Sequence, residues 1–213
     1  MKCLVVVAHP DDEVVWMGGV ILRHAGWDWH VMSLCRADDP DREPRFRRAS
    51  IDLGAVAYIS DLDDSPILAS LSPDLEEIKS RIVQSVAPHF DLVFTHGARG
   101  EYTRHERHEQ VHRAVREMVQ SGRLSGELLY FAYENRGGEC RPRPAPDAHL
   151  RVNLSPDEYL RKLAIVRDIY GFPEGSFEYG SAGQAEAFRA ESESKAEDLQ
   201  ILLEIAESRY KGE

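Results

Sequence analysis

His9-Pro10-Asp11-Asp12-Glu13 delivers one imidazole, a turn-setting proline and three carboxylates within five residues. Charges packed this densely repel one another, and a bound divalent cation relieves the repulsion. A second group stands far down the chain: His96, then His105-Glu106-Arg107-His108, with His112 one turn further on. On a helical wheel at about 100° per residue, Val111, His112, Val115, Met118 and Val119 fall within roughly 80° of His108, and His105 within about 60°. His108 therefore shares the apolar face of its helix, where a buried imidazole needs a partner and a metal is a good one. Two imidazoles and a carboxylate, with no thiolate nearby, suit an open three-ligand Zn2+ site, one ion per chain, with water in the fourth place. Such an ion lowers the pKa of its water to about 7 and polarises a carbonyl. A neighbouring carboxylate can then act as general base, and the pair Asp11-Asp12 can divide the two roles. His105, near the metal but not required as a ligand, can stabilise an oxyanion or protonate a leaving amine. Glu13 reads as a helix-start residue that favours the positive helix end.

The elements that must position these groups alternate. Cys3 to Ala8 is a short β-branched run that reads as a buried parallel strand, and the carboxylate group begins where it stops. A helix is expected over 14–25, with Gly18-Gly19 allowing close packing, and a strand over 27–34. A loop over 36–44, a helix over 45–53 stopped by Gly54 and a strand over 55–59 follow. After a loop over 61–66, Ser72-Pro73 opens the next helix with a cap and an N1 proline. A strand over 91–95, a loop over 96–104 and a helix over 105–120 carry the histidine group. Later elements are strands over 128–133 and 150–154, a loop over 136–147 and a helix opening at Ser155-Pro156-Asp157. The stretch 171–183 reads as irregular and 190–210 as a final amphipathic helix. This alternation predicts an α/β fold: a Rossmann-like, doubly wound, mostly parallel sheet flanked by helices, in one domain over 1–213. In the order 3-2-1-4-5, strands one and four are neighbours at the topological switch point, so the two groups face one crevice.

Composition narrows the partners. The formal net charge of −11 argues against a general nucleic-acid or anionic-membrane binder. No apolar segment approaches the roughly 20 residues of a membrane span, and no signal-peptide pattern stands at the N-terminus, which points to the cytoplasm. Cys3, Cys35 and Cys140 are odd in number and unpaired in spacing, as reduced structural thiols are. His24, His30, His89 and His149 read as surface or strand-edge residues, and His112 as support for the site or as core. The first strand ends without a GxGxxG, which excludes a dinucleotide fingerprint.

Ala8-His9-Pro10-Asp11-Asp12-Glu13, with Thr95-His96 and His105-Glu106-Arg107-His108 downstream, resembles the PIG-L/LmbE-like family of zinc-dependent de-N-acetylases, which act mostly on N-acetylglucosaminyl conjugates. Glu186-Ala187-Phe188-Arg189 is similar to that family's C-terminal segment. Carried over by motif, the resemblance implies His9, Asp12 and His108 as metal ligands, Asp11 as general base and His105 as acid or oxyanion partner. It departs at Thr103, where many relatives have a tyrosine that here stands at Tyr102. The Arg-rich stretch of Arg45, Arg47 and Arg48 is similar to a substrate-contacting segment, or is a solvated helix face. The expected activity is removal of an acyl group, foremost acetyl, from the amide nitrogen of an amino-sugar or related small-molecule conjugate. A homo-oligomer is compatible with it. The alternatives are an amidase on a non-sugar natural product or thiol conjugate, and a non-catalytic metal- or ligand-binding member of the same fold.

Overall fold

The computed structural model describes residues 1–64, 75–135 and 141–205. Among these, seven strands form one sheet in the order β3-β2-β1-β4-β5-β9-β8. The first five are parallel: β1 (Lys2–Val7), β2 (Asp28–Ser33), β3 (Ala55–Ile59), β4 (His89–Thr95) and β5 (Ser125–Phe131). The last two, β8 (Leu150–Asn153) and β9 (Ala185–Ala190), extend it antiparallel. A separate two-stranded ladder joins β6 (Tyr133–Glu134) to β7 (Arg143–Pro144).

Both faces of the sheet are buried, as near-continuous apolar strands require. Cys3, Val5 and Val7 of β1 pack into one layer with Trp29, Val31 and Phe94. Leu4, Val6 and Ala8, pointing the other way by the period of two, pack with Met32, Leu34 and Val93. The first layer is covered by α1 (Asp12–Arg23), α2 (Arg42–Leu53) and α5 (Pro156–Ala164), the second by α3 (Leu75–Ser85) and α4 (Glu106–Gln120). Two further helices, α6 (Phe177–Ser181) and α7 (Ala196–Glu204), follow. None of the helices described is long and apolar enough to cross a membrane.

Local chemistry sets the boundaries. Gly54 closes α2 in the left-handed region at φ 71, and Ser155 opens α5 with a reciprocal capping box to Glu158. Gly19 lets α1 approach closely: a Cβ there would lie 2.2 Å from Leu154 Cδ1. Beside that contact, Glu186 Oε1 and Oε2 accept the Gly19 and Val20 amides at 2.8 and 2.7 Å, and Lys162 Nζ lies 2.7 Å from Oε1.

Several expectations need correction. α2 starts at Arg42, three residues early, because Asp39 Oδ1 accepts the Asp41 and Arg42 amides, both at 3.0 Å. The strand expected over 128–133 is β5, shifted toward the N-terminus, followed by β6. Residues 171–183 hold α6. Ala185–Ala190 is a strand, and the final helix begins at Ala196 rather than at 190, because Ala190 still pairs with Leu129 of β5. His24 is buried: it stacks on Trp27 with ring centroids 4.0 Å apart, and its Nε2 lies 3.1 Å from the Leu203 carbonyl. Cys3 and Cys35 are free and buried, and desolvation pushes each thiol up to about 12. Ser72-Pro73 and Cys140 lie outside the described residues.

Candidate active site

The parallel register of β1 with β4 pairs Val6 with Thr95, so the segments after both strands emerge side by side. Thr95 Oγ1 donates to the Val6 carbonyl at 2.9 Å, and His96 Nε2 accepts the Ala8 amide at 2.9 Å. Asp11 then turns the chain into α1 with φ 113, a conformation rare for a residue with a Cβ. Its carbonyl accepts the Val14 and Val15 amides, and its own amide donates to Glu13 Oε2 at 3.1 Å. Glu13 is therefore more than a helix-start charge. It is fully buried, braces the strained turn and accepts the Tyr170 hydroxyl. Burial pushes its carboxyl up to about 7.

Three donor atoms converge where the two segments meet. His9 Nδ1 and Asp12 Oδ2 are 3.4 Å apart, His108 Nε2 and Asp12 Oδ2 3.5 Å, and His108 Nε2 and His9 Nδ1 3.2 Å. Tetrahedral bonds of about 2.0–2.2 Å put neighbouring donors about 3.3–3.6 Å apart, so this triangle has the dimensions of one face of a zinc tetrahedron. Asp12 is aimed into it: Trp16 Nε1 holds Oδ1 at 3.0 Å, and the His9 amide meets Oδ2 at 3.0 Å. Each imidazole is backed by a carboxylate on its far nitrogen. Asp64 Oδ2 lies 3.1 Å from His9 Nε2, and Glu101 Oε2 lies 2.6 Å from His108 Nδ1.

The local field asks for positive charge at the centre. Burial alone would lower His9, yet Asp12 and Asp64 push it up to about 10. Burial would likewise lower His108, but Asp12 and Glu101 raise it. Burial would raise Asp12, but His108, His96 and His9 hold it well below the usual carboxylate range. Asp64 and Glu101, despite burial, are each held at about 2 by the neighbouring imidazoles. A divalent cation meets the same demand as those protons, and the donor set fits one.

Asp11 and His105 flank the triangle. Burial raises the Asp11 carboxyl well above its usual range, and the charges of Asp12 and Glu13 raise it further. Arg42 Nη1 lies 3.4 Å from Asp11 Oδ2 while its guanidinium sits 4.6 Å over the Phe172 ring. His105 is the exposed residue just ahead of α4, its ring 5.0 Å from that of His9 and 4.3 Å from that of His108. Desolvation, then the charges of His108 and His9, push it down to about 4.

These residues line a cleft of about 420 Å³. Its outer wall includes Tyr102 and Phe177, edge to face with centroids 4.8 Å apart, together with Arg36 and Arg42. Arg45, read either as a substrate contact or as part of a solvated helix face, reaches Asp41 and the Ile169 carbonyl, and Arg47 pairs with Glu43. Sequence reasoning missed Asp64, Glu101 and Arg42 as parts of the site. His112 is a support one step further back, with Nδ1 2.9 Å from the His96 carbonyl.

A doubly wound sheet with a histidine–carboxylate cleft at its switch point defines the class of this protein: an α/β fold with an enzyme-like site. Over residues 4–119 the chain matches the family described as PIG-L: GlcNAc-PI de-N-acetylase, and it belongs to that family. Among curated proteins no sequence match was found. Solved structures with the same fold include GalB, the 4-carboxy-2-hydroxymuconate hydratase of Pseudomonas putida KT2440, at 17% identity and TM-score 0.61, covering 90% of this chain and 97% of that one. A deacetylase of the teicoplanin biosynthetic pathway is similar at 16% identity and TM-score 0.59, covering 89% and 97%. The N,N'-diacetylchitobiose deacetylase of Pyrococcus horikoshii is similar at 18% identity and TM-score 0.57, covering 91% and 85%.

Proposed function

We propose that this protein is a zinc-dependent hydrolase that removes an acyl group, foremost acetyl, from the amide nitrogen of an amino sugar or related small-molecule conjugate. The observation that carries the reading is the donor triangle of His9 Nδ1, Asp12 Oδ2 and His108 Nε2, with Asp11 and His105 beside it. Bound by these three side chains, one zinc ion supplies Lewis acidity, lowering the pKa of a water to about 7 and polarising the amide carbonyl.

The chain's own groups divide the remaining work. Asp11, made more basic by burial and its acidic neighbours, takes the proton of the attacking water. Arg42 Nη1 lies 3.4 Å from its Oδ2 and orients the carboxylate. That proton then passes to the departing nitrogen, so amide and water leave as acid and amine. His105 is neutral at working pH, so it donates a ring N–H to the oxygen on which charge develops. The cleft volume suits a small molecule, with Tyr102 and Phe177 offering an apolar wall. The deacetylases among the structural relatives support the reaction class, whereas GalB is named for water addition, so acetate release is the informative assay.

Purified protein should bind about one zinc per chain and release acetate from N-acetylglucosaminides. A chelator should abolish release, and zinc should restore it. Asp11→Asn should keep zinc and lose turnover, whereas His108→Ala should lose zinc as well. Chelator-insensitive turnover, or full activity in Asp11→Asn, would overturn the assignment.

A further inference from the structure

By distance alone His96 competes for a place in the donor set. Its Nε2 is 3.5 Å from Asp12 Oδ2, its ring stacks 3.8 Å from that of His108, and Asp12, His96 and His108 form a compact group of possible ligands. The hydrogen bonds around Glu101 decide between them. Glu101 lies in the segment between β4 and α4 and is 2% exposed. Its Oε1 faces two donors, the Gly97 amide at 2.8 Å and His96 Nδ1 at 3.1 Å, and its Oε2 faces His108 Nδ1 at 2.6 Å.

The Ala8 amide can only donate, and it points at His96 Nε2. Nε2 must therefore present its lone pair, and the His96 proton sits on Nδ1, directed at Glu101 Oε1. An ionised carboxylate only accepts, so the proton of His108 sits on Nδ1 against Oε2. In the neutral ring, the form that can bind a metal, the Nε2 lone pair of His108 is then the one that faces His9 and Asp12.

We infer that Glu101 is a positioning residue that fixes the tautomers of two histidines at once, presenting His108 Nε2 to a metal and withdrawing His96 from ligation. The inference rests on the zinc reading above. It goes beyond it by assigning a role to a residue outside the ligand set and by excluding the nearest competing ligand.

Glu101→Gln tests it directly. The amide oxygen is needed by the Gly97 amide and His96 Nδ1–H, so the amide NH₂ turns toward His108 Nδ1 and drives that ring into the opposite tautomer. Zinc affinity, measured by competition against a chromophoric chelator, should fall roughly 10–100-fold. In metal-free protein, at a pH high enough to leave His9 and His108 neutral, ¹⁵N imidazole spectra should show the single His108 proton on Nδ1 in the wild type and on Nε2 in the variant. A second variant, His96→Asn, keeps an N–H toward Glu101 but has no ring nitrogen to ligate. It should leave zinc affinity largely unchanged. Wild-type protein that binds no zinc would overturn the metal reading and this one with it. Wild-type zinc binding together with unchanged affinity and tautomers in Glu101→Gln would overturn this inference alone. Loss of zinc in folded His96→Asn would do the same by making His96 a ligand. Should Glu101→Gln fail to fold, the wild-type spectra and His96→Asn still decide the matter.

Discussion

Lys162 and Glu186 are both fully buried and joined at 2.7 Å, and they brace the helix that carries Asp12 and Trp16. Lys162→Met keeps the aliphatic stem and deletes the ammonium, leaving a carboxylate still served by the Gly19 and Val20 amides. Breaking a buried pair costs about 3–5 kcal/mol, and the two remaining donors put this variant at about 3 kcal/mol. Glu186→Gln is worse, at about 5 kcal/mol. Its single amide oxygen cannot accept both amides and the ammonium, and its NH₂ repels Lys162. At roughly 2–4 °C per kcal/mol for a chain of this size, Lys162→Met should melt about 6–12 °C below the wild type. The double variant removes both buried charges together, so it should be destabilised by less than the sum of the singles, with a coupling of at least about 1 kcal/mol. Urea unfolding of the four proteins measures the cycle. Loss of under about 1 kcal/mol in Lys162→Met, or single effects that simply add, would refute the claim that this pair braces α1.

Three further substitutions probe the site and its frame. Trp16→Phe removes the N–H that holds Asp12 Oδ1; a hydrogen bond to a charged group is worth about 1.5–3 kcal/mol, so zinc affinity in a competition titration should drop at least about tenfold. Gly19→Ala should destabilise by about 1–3 kcal/mol in urea, because its Cβ forces the buried Leu154 side chain to move. A stabilising Gly19→Ala, the ordinary helix effect, would show that Leu154 repacks freely. Phe177, 41% exposed at the cleft wall, should contribute binding rather than chemistry. Phe177→Ala should therefore raise KM several-fold while kcat holds, and a fall in kcat alone would exclude that role.

What the sequence disclosed and what it concealed follow from how far each interaction reaches. The alternation of strands and helices was legible because each crossover has its own periodicity, whereas the order 3-2-1-4-5 was expected only as the common one for doubly wound sheets; the observed order brings His9 and Asp12 beside His108. β9 was not legible. Ala185, Glu186 and Ala187 are helix formers by local preference, and the Lys162–Glu186 contact and the β8 ladder hold them as a strand that Phe188 to Ala190 continue against β5. His24 looked like a surface residue because its partners, Trp27 and Leu203, belong to packing that no local period reveals.

The supporting carboxylates illustrate the same limit more sharply. Asp64 leaves the region after β3 and Glu101 the segment after β4, so neither shares a helix face or strand with the imidazole it meets. One acidic residue in a loop carries no periodic signal, whereas a histidine on an apolar helix face does. The usable signal was a demand rather than a pattern: two imidazoles facing one cation each leave a second nitrogen pointing away, and that nitrogen needs an acceptor. Asp61, Asp63 and Asp64 stand in the loop after β3, and Glu101 lies between His96 and His105, so candidates for both places were in view. The donor triangle sets where a cation can sit, but the backing carboxylates set which nitrogen lone pairs reach it, and they arrive from two separate loops. Sequence variation in those loops can therefore retune the site while every residue of His9-Pro10-Asp11-Asp12-Glu13 stays the same.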